Sequence, residues 1–596
     1  MFQSFEVASR PEQAAPRITQ LRTQMRETGL DAFLVPRADA HQGEYVADCD
    51  ARLSWLTGFT GSAGSAAILH DRAALFVDGR YRVQVRSQCD AEVFDFIDWP
   101  ETTVAAWFKG TEAEKIGFDP WLHTVTEVRK LREDLTPVGK TLVASPNLVD
   151  RIWTDRPARP EAPVSAQPIE LTGRSSTEKV DALCEDIKAA GADAHVMTLP
   201  DSISWLLNIR GADIAHNPVV QAFAVVHANG TIALFDAPEK YASLGPDPRI
   251  TIAPRSEFSN YLKGLSGKVL ISPTDAPHAV LSLMRDGEAA EIIEGDDPCA
   301  LPKACKTQAE IAGSREAHLR DGAAMVEFLA WLASNDPDGL TEIDVVKKLE
   351  GFRAATNHLK DISFETIAGA GPNGAIVHYR VSEDSNRALK EGELLLVDSG
   401  GQYVDGTTDI TRTVALGDVA GDARRAFTAV LQGMIALSTA RFPRGVSGAH
   451  LDSLARAPLW RMGRDYDHGT GHGVGAYLSV HEGPQRISRI SQLPLQEGMI
   501  LSNEPGYYRT GEYGIRIENL ITVRAAPPIG DGDDRDHLDF ETLTFVPIDR
   551  SLILADELAP WERDWLDDYH QEVWEKIAPR VSDAAKEWLR QAVAPL

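Results

Sequence analysis

Apolar residues recur at helical spacing over residues 18–28, at Ile18, Leu21 and Met25, and the stretch runs through Gly29 into the apolar segment Ala32-Phe33-Leu34-Val35. The pattern predicts a helix feeding a buried strand. The same figure returns at residues 180–190, followed by Gly191 and Ala194-His195-Val196-Met197. Each copy then places a Trp ahead of an apolar, Gly-containing turn, Trp55 in SWLTGFTGSAG and Trp205 in SWLLNIRGADI. A β-rich run follows in both, AALFVDGRY and TIALFDAPEKY. Self-similarity of this kind predicts two duplicated α/β units. The first copy is longer between Asp31 and Trp55 by about a dozen residues, an insertion that a loop absorbs at little thermodynamic cost.

The proline-rich run RPARPEAPVSAQPIEL at 156–171 separates the copies as an extended linker. Beyond residues 297–302 the pattern changes again. Residues 308–331 alternate charged and apolar positions at helical spacing, with Ala309, Ala312, Leu319, Ala323, Val326 and Leu329 as expected buried positions. Strand-like segments at 394–397, 410–415, 499–502 and 515–523 then alternate with helical ones such as 422–441. The tail carries Trp561, Trp565, Trp574 and Trp588, which are expected to pack it onto the body or onto a second subunit. The chain thus divides into residues 1–157, 158–300 and 301–596, the last ending in a Trp-rich extension from about residue 540.

Composition narrows the class. With 43% hydrophobic and 25% charged residues the chain has the material for folded cores, so disorder and coiled coil are excluded. Acidic residues outnumber basic ones 88 to 60, and the net charge of -28 repels phosphate backbones and anionic lipid. Nucleic acid and membrane are therefore not expected partners. No apolar run approaches the roughly 18 residues of a membrane span, and MFQSFEVASRPEQAAPR lacks an apolar leader core, so a cytoplasmic location is expected. Cys49, Cys89, Cys184, Cys299 and Cys305 are scattered without a CxxC pair and read as reduced thiols.

Candidate chemistry lies in the third segment. In LLLVDSGGQYVDGTTDITRT a buried strand ends at Asp398, and turns precede Asp409 at the start of the next strand, so two carboxylates can meet at adjacent strand ends. HGTGHGVGAYLSVHEGP carries His468, His472 and His481 among glycines, which excludes a helical HxxxH zinc face and predicts a loop with exposed imidazoles. Glu504 precedes the Pro505-Gly506 turn, and the alternation of GIRIENLITV sets Arg516 and Glu518 on one face of a strand. Crowding Asp398, Asp409, Glu504 and Glu518 in a dry cleft requires protons or cations, and two divalent cations balance the four charges. Mostly oxygen ligation with one imidazole suits Mn²⁺, with Co²⁺, Fe²⁺ or Zn²⁺ as substitutes. Two such ions activate a bridging hydroxide for amide hydrolysis. Three lookalikes fail: GAGPNG continues as the strand AIVHYR and is a turn delivering His378, DSGG lacks the serine-peptidase context, and DGTTD lacks the spacing of a calcium loop.

Asp398, Asp409, His472, Glu504 and Glu518, in DSG, DITRT, HGTGHGVG, NEPGYY and IRIEN, resemble the five-ligand dimetal set of the pita-bread metallopeptidases. VHEGP, GPNGAIVHYR, DAHQGEYVADCD, DGRY and SPNLVDRIWTD bring the chain closest to the three-domain Xaa-Pro aminopeptidase group, nearly end to end. The resemblance implies an α/β (α+β) chain with two creatinase-like N-terminal domains and a pita-bread catalytic domain. It implies that Asp398 ligates one metal, Asp409 and Glu518 bridge both, and His472 and Glu504 ligate the other, with Glu504 as general base. His481 and His378 would contact substrate and stabilise the oxyanion, Arg516 and Tyr508 would support the bridging carboxylate and the reacting centre, and Arg80 would restrict peptide length. It further implies a homodimer acting on peptides whose second residue is proline. The ligand set alone leaves a prolidase acting on Xaa-Pro dipeptides as an alternative, and more remotely a non-catalytic peptide-binding relative.

Overall fold

The computed structural model describes residues 1–530 and 532–596, and they form two compact units. One comprises Ala8–Pro168 with Arg174–Ala300; the other comprises Met1–Val7, Ile169–Gly173 and Leu301–Leu596.

The first unit repeats one topology. Helix α1 (Ala14–Thr28) buries Ile18, Leu21 and Met25 and stops at Gly29, whose φ of 66° gives the left-handed cap that turns the chain into β1 (Ala32–Pro36). Strands β2 (Ser65–Leu69), β3 (Ala73–Val77), β4 (Asp95–Asp98), β5 (Lys115–Phe118) and β6 (Thr141–Ala144) complete a six-stranded sheet of order β4-β3-β2-β1-β5-β6. Between β5 and β6, α2 (Val125–Leu135) starts on a Thr124–Glu127 capping box. The second copy starts with α3 (Ser176–Ala189) on a Ser175–Glu178 capping box. It continues as β7 (Ala194–Met197), β8 (Phe223–His227), β9 (Ile232–Phe235), β10 (Ile250–Ala253) and β11 (Gly267–Ile271). Helix α4 (His278–Gly287) leads into β12 (Ala290–Glu294). Its sheet runs β10-β9-β8-β7-β11-β12, the same order. The pairings also agree: the β1–β2, β2–β3, β7–β8 and β8–β9 pairs are antiparallel and the remaining three in each sheet parallel. The duplication read from the apolar pattern is thus a duplication of strand order and direction.

In the second unit α5 (Gln308–Ala333) opens on a Thr307–Glu310 capping box, and α6 (Glu342–Ala355) follows. The expected apolar stripe of α5 is only partly the buried one. Val326 and Leu329 are buried, but Ala309, Leu319 and Ala323 are half-buried and Ala312 is exposed. The helix instead buries a broad face that includes polar Ser314, His318 and Asp321: Asp321 accepts from Arg353 Nε at 2.7 Å and from Tyr403 Oη at 2.7 Å, and His318 Nδ1 donates to Ser314 O at 2.6 Å, while the Ser314 hydroxyl is buried without a partner among the described residues.

Strands β13 (Ile367–Ala370), β14 (Glu393–Ser399) and β15 (Ile410–Leu416) form an antiparallel sheet of order β13-β14-β15. After α7 (Gly421–Ser438) come β16 (Phe442–Pro443), α8 (Gly448–Arg461), β17 (Gly471–Gly473), β18 (Glu482–Ile487) and β19 (Ile500–Asn503). A hairpin of β20 (Gly506–Arg509) and β21 (Tyr513–Arg516) precedes β22 (Asn519–Ala525) and β23 (His537–Thr542). The larger sheet has the order β16-β23-β22-β19-β17-β18. Where one strand was expected over 515–523 there are two, because the chain leaves the hairpin at Ile517 and Glu518. Likewise AIVHYR is not a strand: a 3₁₀ turn over Gly371–Ala375 is followed by irregular backbone.

The tail forms α9 (Pro560–Ile577) and α10 (Asp583–Ala592), and Trp565, Trp574 and Trp588 pack against the core while Trp561 stays 50% exposed. Residues at the start of the chain form a strap on this same unit. Gln3 exchanges hydrogen bonds with the backbone of Thr366 (2.8 and 3.3 Å), and Arg380 donates to the carbonyls of Ser4 and Glu6 at 2.9 and 3.0 Å. No described helix is long and apolar enough to cross a membrane, and none of the five cysteines is in a disulfide.

In the first unit, burial lowers His123 and His278 to about 4, so both are neutral in the folded state. Below the ordinary histidine value the unfolded chain binds protons that the folded unit refuses. Their stabilising contribution is therefore full above pH 6.5 and is lost as pH falls toward 4. Urea denaturation at stepped pH, with hydrogen exchange over α2 and α4 marking this unit, is expected to show that loss, and His123→Gln to reduce its slope; equal slopes would contradict it.

Candidate metal centre

Each acidic side chain of the site is delivered by a strand end that its neighbours fix. Asp398 lies near the end of β14, opposite Thr411 of β15, and Asp409 immediately precedes β15. β14 is buried along nearly its whole length, which is why its apolar run Leu394–Val397 lacks alternation. Glu504 follows β19 and its N–H donates to Thr470 O at 2.8 Å. Glu518, between β21 and β22, donates its N–H to Thr411 O at 3.1 Å.

The glycine-rich histidine segment is not a plain loop. Gly471–Gly473 is a strand lying between β18 and β19, with a register shift at His472/Gly473. A Cβ on Gly471 would sit 2.0 Å from Ser502 O, and one on Gly473 2.3 Å from Glu482 O. The glycines therefore serve close strand approach, and His472 is half-buried rather than exposed. His472 is also held by its backbone N–H, which donates to Ser502 Oγ at 2.9 Å. Ser502 Oγ in turn donates to Glu504 Oε1 at 3.0 Å.

These elements bring the five expected ligands together, and with them His481, expected only to contact substrate, in three overlapping groups, Asp398/Asp409/Glu518, His472/Glu504/Glu518 and Asp409/His472/His481, whose donor atoms within each group lie within 4.8 Å of one another. His472 Nε2 is 3.4 Å from Asp409 Oδ2 and 3.5 Å from Glu504 Oε1. The His481 ring meets that of His472 edge-on at 4.2 Å. Arg516 Nη2 donates to Asp398 Oδ2 at 2.5 Å, and its Nη1 to Tyr508 Oη at 2.5 Å. Tyr508 also meets His468 Nε2 at 2.9 Å, and burial pushes its hydroxyl up to about 12. His378 is half-buried after the Gly371–Ala375 turn and belongs to none of the three groups; Arg80 lies in the other unit, where it pairs with Asp78 at 2.7 Å.

The electrostatics are those of a site short of positive charge. Burial, with Asp409 adding to it, raises Asp398 to about 7 despite Arg516. Burial also raises Glu504, and burial with Asp409 and Asp398 holds Glu518 far above the carboxylate range. Burial alone would lower His472, yet Asp409 and Glu504 carry it up to about 9. Asp398 Oδ1 and Glu518 Oε1 are buried without a protein hydrogen-bond partner, while Thr411 Oγ1 donates to Glu518 Oε2 at 2.8 Å. A donor set of carboxylate oxygens and imidazole, two of its oxygens orphaned, fits divalent cations.

Residue reasoning from sequence missed the supports. Glu482, quoted within VHEGP without a role, is fully buried beside His481 and pairs with Lys303 at 3.2 Å and with Lys306. A buried acid inside a motif was its signal; the lysines, far away in sequence, carried none.

Family models match along the chain: "Creatinase/Prolidase N-terminal domain" at residues 17–152 and again at 155–310, "Metallopeptidase family M24" at 312–525, and "C-terminal region of peptidase_M24" at 536–596. The chain belongs to metallopeptidase family M24, in the full-length group formed by the relatives named Xaa-Pro aminopeptidase P. A probable Xaa-Pro aminopeptidase P of Talaromyces stipitatus is 40% identical, with 99% of this chain and 94% of the relative covered. One from Laccaria bicolor is 39% identical over 97% and 93%. The X-prolyl aminopeptidase of Caenorhabditis elegans, described as a cytosolic enzyme with a di-nuclear active site, superposes with a TM-score of 0.92 at 35% identity, covering 98% of this chain and all of that one.

Lys306→Met leaves Glu482 with Lys303 alone. Breaking a buried pair costs about 3–5 kcal/mol, so the urea midpoint of the catalytic unit should fall clearly; an unchanged midpoint would mean that Lys303 suffices.

Proposed function

We propose that this chain is a metal-dependent aminopeptidase that releases the first residue from peptides whose second residue is proline. The observation that carries this reading is the set of buried and half-buried carboxylates and half-buried imidazoles converging in overlapping groups, in a chain akin over its whole length to proteins named for that activity. Residues 1–157 and 158–300 are taken as the two creatinase-like domains and 301–596 as the catalytic one.

On this reading Asp398 would hold one cation, His472 and Glu504 the other, and Asp409 and Glu518 both; Asp409, Glu518 and His472 each belong to two of the three groups. Oxygen donors with few imidazoles and no thiolate favour Mn²⁺. When bound, two such ions supply Lewis acidity and lower the pKa of water. The remaining tasks fall to the chain. His472 Nδ1–H donates to Gly473 O at 2.9 Å, which leaves the Nε2 lone pair for the cluster. Ser502 orients Glu504, the general base that takes the proton of the attacking water. His481 and His378 hold the scissile carbonyl and stabilise the oxyanion. Arg516 fixes Asp398 and Tyr508 beside it. An Xaa-Pro bond has no N–H, so selection rests on the proline ring and the free amine rather than on that donor. A homodimer and a cytosolic location belong to the same reading, and the nematode enzyme is described as cytosolic.

Metal-stripped protein should release the first residue of an Xaa-Pro-Pro tripeptide only after Mn²⁺ is added, as followed by mass spectrometry. Preference for an Xaa-Pro dipeptide would make it a prolidase, and no release with metal bound would leave a binding protein. Glu504→Gln should abolish turnover, and undiminished kcat with metal bound would remove it as the base. For His481→Ala, kcat should fall more than KM rises.

A further inference from the structure

Glu518 stands where the strand ladder is interrupted. Ile517 and Glu518 belong neither to β21 nor to β22, so their backbone groups need other partners. The N–H of Glu518 finds Thr411 O. Its carbonyl is taken by the side chain of Arg412, whose Nη1 donates to Glu518 O at 2.6 Å and to Thr411 O at 2.9 Å. Arg412 Nη2 donates to Asn519 Oδ1 at 2.8 Å, so the guanidinium grips both sides of the peptide after Glu518.

The rest of the guanidinium is seated by the C-terminal extension. Nε donates to Pro547 O at 3.1 Å, and Nη2 to Val546 O at 2.8 Å and to Tyr569 Oη at 3.0 Å. Tyr569, on α9, is 5% exposed, stacks on Trp565 at 5.2 Å and donates to Val546 O at 2.8 Å. Arg412 is 2% exposed, and every acceptor named here is neutral. A buried cation without a carboxylate in its hydrogen-bond shell is costly, and a salt-bridge role in stability does not account for it. Its planar fork does: five N–H donors in fixed directions bind three separate chain segments at once, which a lysine cannot do.

We propose that Arg412 and Tyr569 are positioning residues of the metal centre, through which the C-terminal extension sets the placement of Glu518 and hence the affinity for the divalent cations. This rests on the metal reading above. The distinction from a merely structural role is testable, because loss of a structural contact lowers the melting temperature and leaves metal affinity alone.

Metal-stripped full-length wild type, Arg412→Lys and Tyr569→Phe would be titrated with Mn²⁺ by calorimetry, with bound metal counted by elemental analysis and hydrogen exchange read over residues 517–520 before metal is added. Changes behind first ligands typically weaken metal binding about 10–100-fold. That is the expected loss for Arg412→Lys, with a smaller loss in the same direction for Tyr569→Phe and faster exchange at 517–520 in both. Should Arg412→Lys fail to fold, Tyr569→Phe, which removes one hydroxyl from an otherwise intact ring stack, decides the matter. Unchanged Mn²⁺ affinity in the folded variants, whatever their melting temperatures, overturns the proposal. Wild type that binds no Mn²⁺ overturns the metal reading beneath it, a different result from equal affinities.

Discussion

Four carboxylates buried within reach of one another repel, and protein without added positive charge cannot hold them all ionised. The centre of this molecule is organised around that repulsion. Arg516 neutralises one oxygen of Asp398, His472 leans on Asp409 and Glu504, and the orphaned oxygens of Asp398 and Glu518 remain for cations. The arrangement stores no attraction of its own, so the surrounding strands must impose it. β14 does so by its continuous apolar burial and its full pairing with β15, and β17 does so by dispensing with side chains on either side of His472.

The supports form a second ring whose members come from far apart in the chain. Lys303 and Lys306 hold Glu482 beside His481, Ser502 connects His472 to Glu504, and Thr411 spans Arg516 and Glu518. Rigid placement of this kind matters because oxygen ligation by itself is permissive: carboxylates swing, and a metal site made of them is only as defined as the hydrogen bonds behind them.

Much of the fold was legible in the sequence because its signals are local. A helix with a glycine stop and an apolar strand, repeated, foretold two sheets that turn out to share strand order and direction. The ligand candidates were legible too, because several acids and imidazoles beside glycine turns recur within one segment, where a lone one would only cap a turn, and the structure gathers Asp398, Asp409, His472, Glu504 and Glu518, with His481, into groups whose donor atoms lie within 4.8 Å of one another. What escaped is non-local. Alternation through 515–523 cannot reveal a break whose backbone bonds are supplied by Arg412 from another strand. Glycine spacing in HGTGHGVG reads as freedom, whereas here it reports crowding by Ser502 and Glu482. Asp321 on α5 is buried where Arg353 and Tyr403 wait for it, and no periodicity encodes a partner.

The strap formed by the first residues has a bearing on how the molecule is made. Gln3, Ser4 and Glu6 are docked against Thr366 and Arg380, yet the intervening residues 8–168 belong to a different compact unit. A ribosome delivers the strap first and its docking surface several hundred residues later. During that interval the leading segment has no native place to go, while the two α/β repeats can each close on contacts already synthesised. The strap can therefore dock only after residues 366–380 have been made, whereas the repeats, built on contacts nearer in sequence, can fold earlier on the emerging chain.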